Sequence, residues 1–221
     1  MKVAIKKDLD KFLVLLILAD LVFIFLHIFH TYTSLLPSSL FSIERDRGYA
    51  EVFQYIKEFW IVILLILLAI RKADFLYLSW SLLFFYILLD DSLMIHEKLG
   101  SLIVSWFGLH SGFGLRAQDF GELIVYFSFG FILFVLTAVA YYMSESADRR
   151  ISKYLFGMLA LFVFCGVIVD MVNVIVTHTM VSPLLGMIED GGEMLVISVI
   201  TWFVFSLNSS REEISVFPKN V

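Results

Sequence analysis

The stretch FWIVILLILLAIRKADFLYLSWSLLFFYILLDDSLMIHE, residues 59–97, contains two apolar runs that are separated by RKAD and followed by acids and a histidine. The first run has 12 residues and the second has 15, whereas a transmembrane helix needs about 20 mostly apolar residues. Twelve helical residues span only about 18 Å. These helices can therefore cross a bilayer only if their polar turns also lie at membrane depth, shielded by neighbouring helices. The pattern predicts a helical hairpin within a larger membrane bundle.

The composition of the whole chain is also that of a membrane protein. Of its 221 residues, 60% are hydrophobic and 16% are aromatic, and the mean hydropathy is +0.91; soluble domains lie far below these values. The net charge of -5 comes without a basic cluster, so nucleic acid is not an expected partner. We expect an all-α, six-helix integral membrane bundle in the lipid bilayer, forming one domain over residues 1–221. The predicted spans are approximately 12–31, 52–71, 74–96, 120–143, 154–178 and 187–207.

The basic residues predict how the chain is oriented. With the N-terminus inside, the cytoplasmic side holds eleven of them: Lys2, Lys6, Lys7, Lys11, Arg71, Lys72, Arg149, Arg150, Lys153, Arg211 and Lys219. The outer side then holds five: Arg45, Arg47, Lys57, Lys98 and Arg116. Because lysine and arginine accumulate in cytoplasmic loops, both termini are expected in the cytoplasm and the protein in the inner membrane. No A-x-A cleavage site follows the first apolar run, so we interpret that run as a retained helix.

Carboxylates and histidines are concentrated in the outer half of the predicted bundle. Bases are fewer there, so salt bridges alone cannot neutralise the acids; either several are protonated, because burial raises a carboxyl pKa, or a cation is bound. Asp20, Asp90 and Asp170 are the strongest candidates for a functional site, because capping does not require acids so far from a helix end. Asp119 and Asp190, in contrast, are interpreted as N-caps.

Similar segments are expected to open the three returning helices: DRGYAEVF (46–53), DFGELIV (119–125) and DGGEMLV (190–196). Their glutamates, Glu51, Glu122 and Glu193, are spaced 71 residues apart, and each preceding helix carries an Asp followed by a His. Parallel repeats of this kind occur in transport proteins, with sites at the repeat interfaces. The spacing predicts three tandem hairpins, at about 12–71, 74–143 and 154–207.

Carboxylates and imidazoles on facing helices are how bundles build metal sites. The predicted ligands are His27, Asp90, His96, Glu97, Glu122, Asp170, His178, Glu189 and Glu193. Because imidazoles are included, Zn, Mn or Fe is expected ahead of Ca or Mg. On a straight helix His96 lies well round from Asp90, so it can join the site only if the helix unwinds near HEKLG. The glycine-rich segment 100–119 and the segment 35–48 are expected to lie over the cluster, as interfacial or re-entrant loops.

The segments LLDDSLMIHEKLG, RDRGYAEVFQYIKEFW and EDGGEMLVIS resemble small multi-pass bacterial membrane proteins of a family with no assigned function. In placing Asp and His inside a helical bundle, the chain is also similar in theme to the CREST superfamily of membrane hydrolases, which includes alkaline ceramidases. That resemblance implies zinc and a lipid substrate. The chain departs from the superfamily in having six predicted helices rather than seven, and TWFVFSL in place of an H-x-x-x-H motif in the last helix.

Three functions follow from these patterns. The first is an outward-facing metalloprotein that hydrolyses a lipid or other membrane-borne substrate, with a metal-activated water and a carboxylate as general base. The second is a cation carrier or channel, favoured by the repeat and by the negative cluster. Against it, the inner halves of the helices are almost wholly apolar. The third is a non-catalytic membrane subunit or sensor whose polar groups hold helices together.

Overall fold

The computed structural model describes residues 2–176 and 181–215, with side chains for 8–176 and 181–209. Within this part of the chain, six helices are long and apolar enough to cross a membrane: Asp8–Tyr32, Tyr49–Lys72, Phe75–Leu93, Ala117–Met143, Ser146–Val176 and Ser182–Ser209. These same residues contain no β-strand, and a single isolated bridge joins Gly112 to Leu115. The prediction of an all-α chain with six apolar helices of membrane-spanning length is confirmed.

The helices are α1 (Lys2–Tyr32), α2 (Tyr49–Lys72), α3 (Phe75–Leu93), α4 (Ile95–Phe107), α5 (Ala117–Met143), α6 (Ser146–Val163), α7 (Asp170–Val176) and α8 (Ser182–Ser215). A 3-10 turn, Ser39–Phe41, lies between α1 and α2, and a π-helical turn, Phe164–Val169, joins α6 to α7 within the fifth span.

Two helix boundaries differ from the predicted ones in a way that changes the site. The third span ends at Leu93 rather than near 96, because Met94 takes a left-handed conformation (φ +54°) and a separate helix, α4, follows. The EDGGE segment does not open the last helix, since α8 already begins at Ser182. Glu189 and Glu193 therefore lie within α8, with helical backbone on both sides.

One half of the bundle is closed by an apolar core. Helices α2, α3 and α8 contribute fully buried side chains to it, including Leu65, Phe84 and Ile200, and α6 contributes Leu155. The long stretches of branched and aromatic residues seen in the sequence form this core. Burial of such side chains in a membrane protein gains packing energy against neighbouring helices more than hydrophobic energy, since lipid is itself apolar.

Polar contacts lock the turns at the end of the bundle nearest this core. Asp74 caps α3, accepting a hydrogen bond from Leu76 N–H (2.9 Å), and it also accepts one from the Ser144 hydroxyl (2.8 Å). Asp148 forms an ion pair with Lys72 and accepts a hydrogen bond from Tyr77. The α2–α3 turn is therefore fastened to the α5–α6 turn. We call this the basic end of the bundle, because Arg71, Lys72, Arg149, Arg150 and Lys153 lie near it.

A buried ion pair fastens α1 to the rest of the bundle. Lys57 of α2 donates to Asp20 of α1 (2.8 Å), to the Met194 carbonyl (2.9 Å) and to the Ser198 hydroxyl (3.0 Å). Ser198 in turn donates to the second oxygen of Asp20. Both charged side chains are 0% exposed. Asp20 is thus a structural ion-pair partner, and Lys57, expected on the outer side of the membrane, lies inside the bundle.

Candidate functional site

A cavity of about 610 Å³ lies at the end of the bundle opposite the basic end. Its wall includes parts of α2, α4, α5, α8 and the 43–46 segment, and ten carboxylates line it: Glu44, Asp46, Glu51, Asp91, Glu97, Glu122, Asp170, Glu189, Asp190 and Glu193. We call this space the acidic cavity. Three permanently cationic residues also line it, Arg45, Lys98 and Arg116, together with His96.

Two of these cations are engaged elsewhere. Arg116 forms a double hydrogen bond with Asp119 (2.6 and 2.9 Å), which is not among the lining residues, and this partner raises the pKa of the guanidinium. Lys98 donates to the Leu93 carbonyl (2.6 Å). The cavity therefore holds a large excess of acids over the bases that are placed to neutralise them.

The deepest acids of this region have few hydrogen-bond donors. Glu58, on α2, is 0% exposed, and neither of its carboxyl oxygens receives a close hydrogen bond from the described residues, although the Asp91 carboxyl and the Gln54 amide lie beside it. The Oδ2 atom of Asp91 is also buried without a partner there. Asp91 and Glu193 are the acids that act on Glu58 electrostatically, and Gln54 donates a long hydrogen bond (3.4 Å) to Glu193. Asp91 and Glu193 line the acidic cavity, whereas Glu58 is not among its lining residues; we call the three together the carboxylate floor.

The π-helical turn makes room for Glu193. A Cβ atom at Gly166, in the middle of this turn, would lie 1.5 Å from Glu193 Oε1, so any other residue here would displace the carboxylate from its present position. One residue earlier on α8, a Cβ at Gly192 would lie 2.8 Å from the Cys165 sulfur. Turns of this type are frequent at functional sites. Here the turn brings the backbone of the fifth span against the EDGGE segment.

Asp90 and His96 build the junction between α3 and α4. The left-handed residue Met94 turns the chain so that both the backbone N–H (2.9 Å) and the ring Nδ1 (3.0 Å) of His96 donate to Asp90. The ring also stacks on Tyr126, with centroids 4.9 Å apart. The helix therefore breaks at Met94, two residues before the HEKLG segment, and this break lets His96 join the site. By accepting these bonds, Asp90 caps α4. Capping therefore does explain an acid at this position, contrary to the expectation from the sequence.

The protonation of His96 is set by two opposing effects. Burial lowers its pKa, but the hydrogen bond to Asp90 and the negative charges of Asp90, Glu122 and Asp91 raise it by more, so the net shift is upward. A cation at this position is consistent with the excess of acids around it. The neighbouring Glu97 has a raised pKa, mainly because of burial, with protonated His96 opposing the rise.

Helix α4 is held against α5 by a close contact between glycines. A Cβ atom at Gly121 would lie 2.4 Å from the carbonyl oxygen of Gly100, which leaves no room for a side chain. Beside this contact, Gln118 donates to Glu122 (2.8 Å) and to the Glu97 carbonyl (2.9 Å). The N-terminal part of the segment expected to lie over the acids is therefore a packed helix that forms one wall of the cavity.

The predicted ligands are divided by this geometry. Six of them line the acidic cavity: His96, Glu97, Glu122, Asp170, Glu189 and Glu193. Asp90 and His27 are not among the lining residues. Instead, His27 lies 3.1 Å from the Ser42 hydroxyl and accepts from Ile43 N–H (3.4 Å), holding the 35–48 segment. His178 lies outside the described residues.

Both acids that were interpreted as N-caps have other positions. Asp119 is the third residue of α5 rather than its cap, and it accepts from the backbone N–H of Arg116 (2.7 Å). Asp190 lies inside α8 and lines the cavity, so the N-cap interpretation of this residue is wrong. The predicted ligand set also left out Glu58 and Gln54. The two residues lie four apart on α2 and therefore share a face, and they are in register with Asp91 across the α2–α3 hairpin. This spacing was the signal in the sequence that could have placed them at the site.

Among the described residues, no three His, Cys, Asp or Glu side chains converge closely enough to hold a metal ion as they stand. A family model described as a domain of unknown function, DUF8692, matches residues 12–208. No curated protein and no solved structure matches the chain.

Proposed function

The chain belongs to the DUF8692 family, a domain of unknown function, and from its acidic cavity we propose that it binds a divalent cation and uses it to hydrolyse a membrane-borne substrate. The observation that carries the proposal is the carboxylate floor. Both oxygens of Glu58 and one of Asp91 are buried without a close hydrogen bond in the described structure. Buried charges of one sign are costly unless something of opposite charge compensates them. A bound cation would provide that compensation.

The donor chemistry favours an ion that prefers oxygen. Of the three histidines in the predicted ligand set, His96 is the one that lines the cavity in the described residues, and its ring is held by Asp90. The remaining donors are carboxylates and the Gln54 amide. Carboxylate, carbonyl and water suit Mg, Ca and Mn. We therefore propose Mn, Mg or Ca ahead of Zn or Fe. Mn is the one ion that is also among those expected from the sequence, which were Zn, Mn and Fe.

The separation of the acids also bears on the ion. Since three donors do not converge among the described residues, binding would require rotation of carboxylate side chains or water molecules that fill the coordination shell. Mg²⁺ commonly keeps several waters and uses one or two carboxylates. An ion held in this way beside Glu193 would keep open positions, which catalysis requires.

The volume of the cavity supports a substrate in addition to an ion. About 610 Å³ is within the range of small-molecule sites and far more than one ion needs. A substrate headgroup could enter from the membrane surface, with ion-bound water as nucleophile and a remaining carboxylate as general base. Among the described residues, the core beneath the floor is mainly apolar, and its buried Lys57–Asp20 ion pair is closed on itself. It favours binding and catalysis over conduction of ions.

The orientation and the repeat are part of the same proposal. Because Lys57 is buried in α2, four bases rather than five remain for the outer side, which strengthens the positive-inside argument for a cavity facing away from the cytoplasm. The repeat gains support from the glycine of each D-x-G-E segment. Gly121 contacts Gly100 and Gly192 contacts Cys165, so each glycine packs on a preceding element of its own hairpin.

The test is cation binding by the detergent-purified protein. Wild type, stripped with a chelator, is titrated with Mn²⁺, Mg²⁺, Ca²⁺ and Zn²⁺ while unfolding is monitored. At 100 times the Kd, binding adds about 2.7 kcal/mol of stability. We expect Mn²⁺ or another oxygen-preferring ion to stabilise wild type, and Asp91→Asn with Glu193→Gln to abolish the effect. Glu145→Gln is the matched control, because Glu145 is an exposed acid at the basic end.

Two results would refute the proposal. Stabilisation by the ion that persists in the Asp91→Asn, Glu193→Gln variant would show that the ion binds elsewhere. Absence of any ion effect on folded wild type would show that the protein does not bind a cation. The hydrolase part is tested separately, by release of products from lipid vesicles with and without the preferred ion. Activity that survives complete removal of the ion would contradict that part.

A further inference from the structure

A second concave surface lies far from the acidic cavity, near the basic end. It is a groove of about 300 Å³ between α3, α5 and α6, with walls that include Trp80, Phe134 and Phe156. Phe134 and Phe156 pair with ring centroids 6.1 Å apart and are each about half exposed. Because these helices are of membrane-spanning type, the groove opens on the surface that faces lipid. Its occupant would come from the bilayer.

A hydroxyl group without a partner points to a ligand in this groove. Thr137 lines the groove, is 7% exposed, and its Oγ1 has no hydrogen-bond partner in the described structure. Two serine hydroxyls on α5 and at its C-cap are satisfied locally; Ser144 donates to the Ala140 carbonyl and Ser128 to the Ile124 carbonyl. A ligand acceptor, such as the ester carbonyl of a glycerolipid, would satisfy the Thr137 donor.

The mouth of the groove is positively charged. Lys153 is exposed and lines the groove, and Arg149 is fixed nearby by hydrogen bonds to the carbonyls of Ser144 (2.8 Å) and Tyr142 (3.1 Å). Of the two acids at the start of α6, Asp148 is already paired with Lys72 and Glu145 is the exposed N-cap residue. Basic pockets between transmembrane helices are a recurring way of binding anionic lipid headgroups.

The depths of these groups fit one lipid molecule. Thr137 lies six residues before the end of α5 and Lys153 seven residues after the start of α6, so both are about 10 Å from the helix ends. A lysine at this depth extends its ammonium group back toward the surface. The ammonium group would then lie at phosphate level, with the Thr137 hydroxyl below it and the aromatic walls deeper still.

We propose that this groove binds an anionic glycerophospholipid, with Lys153 at the phosphate, Thr137 donating to an ester carbonyl and one acyl chain lying against the Phe134–Phe156 pair. This site is separate from the acidic cavity and does not depend on the cation. Lipid bound here would fill the gap between α5 and α6, and would thereby stabilise the hairpin that carries Glu122.

The experiment is native mass spectrometry of the full chain in detergent, with phosphatidylglycerol and phosphatidylcholine of identical acyl chains. We expect wild type to retain one phosphatidylglycerol in preference to phosphatidylcholine. Lys153→Gln should reduce that preference about fivefold, which corresponds to about 1 kcal/mol per lysine near an anionic surface. Lys11→Gln is the matched control, because it removes an exposed positive charge from the first turns of α1, away from the groove.

The role of Thr137 is tested with Thr137→Val, which keeps the side-chain shape and removes the hydroxyl. Binding of ester-linked phosphatidylglycerol should fall between about twofold and tenfold, the range of one net hydrogen bond, whereas ether-linked phosphatidylglycerol, which has no ester carbonyl, should be unaffected. Ala138→Trp, which fills the groove, should release the lipid from a protein whose helical circular dichroism is unchanged. Equal binding of both headgroups by wild type, or lipid retention by folded Ala138→Trp, would overturn the proposal.

Discussion

Replacing Lys57 by methionine should destabilise the bundle more than any comparable loss of a surface charge. All three ammonium donors of Lys57 are used, by Asp20, the Met194 carbonyl and Ser198. In Lys57→Met, Asp20 keeps the Ser198 hydroxyl as its partner and becomes a fully buried, uncompensated carboxylate. Breaking a buried pair from one side costs about 3–5 kcal/mol.

The reciprocal double variant distinguishes a lost charge partner from lost packing. Asp20→Leu with Lys57→Met replaces the pair by apolar side chains of similar volume, which is often neutral or stabilising. The Ser198 hydroxyl can then donate to the Met194 carbonyl one turn earlier on α8. We expect the double variant to recover most of the stability that Lys57→Met loses.

The assay is equilibrium unfolding in detergent micelles, followed by tryptophan fluorescence and circular dichroism. Lys11→Met is the control, because the Lys11–Asp8 pair is exposed (73% and 68%) and exposed pairs contribute less than about 1 kcal/mol. A loss of less than about 1 kcal/mol in Lys57→Met, or a double variant as unstable as the sum of the single changes, would refute the role assigned to this pair.

Two further predictions concern α4 and its contacts. Gly121→Ala should lower the free energy of unfolding by about 1–3 kcal/mol, because the new Cβ meets the Gly100 backbone. Gly130→Ala on the same helix is the control, because its Cβ meets nothing within 4 Å and should cost nothing. Equal losses in the two variants, measured by thermal or chemical unfolding, would contradict the close contact. The pKa of His96 in the folded protein is raised above 6.5. Its bond to Asp90 should therefore stabilise the folded protein fully below about pH 6.5, and this stabilisation should be lost as the pH rises through the pKa of the folded state. Unfolding of wild type and His96→Gln should therefore differ most at acidic pH, and a difference that grows with rising pH would contradict this sign.

The number of spans was predictable because it depends on local composition. Runs of apolar residues identify membrane helices without knowledge of their neighbours, and six such helices are present in the described residues. Boundaries were less predictable where the polar turns continue the helix. The start of α8 at Ser182 was missed because GMIEDGGE contains acids and glycines that are typical of a helix end, yet the helix continues through them.

The site was predictable in composition but not in detail. Six of the nine predicted ligands line one cavity, since acids at the same end of several helices must meet in a bundle. The roles of individual residues were not predictable, because they depend on backbone conformation. A left-handed residue at Met94 makes Asp90 a cap for α4, and a π-helical turn at Gly166 makes room for Glu193.

The Lys57–Asp20 pair shows which further signal the sequence contained. Asp20 lies 12 residues from either end of its span, Asp8–Tyr32, so its carboxylate is near the middle of the membrane and requires a partner at the same depth. Lys57 lies eight residues inside the span Tyr49–Lys72, about 12 Å from its start. The Lys11, Arg71, Lys72, Lys98, Arg116, Arg149, Arg150 and Lys153 side chains all lie within about one or two turns of a span end or outside the spans. Matching charges by depth rather than by loop therefore selects Lys57 as the partner of Asp20. It leaves the deep acids Glu58 and Glu193 without a second base at their depth among the described residues, which is why a cation is the compensation that we propose for them.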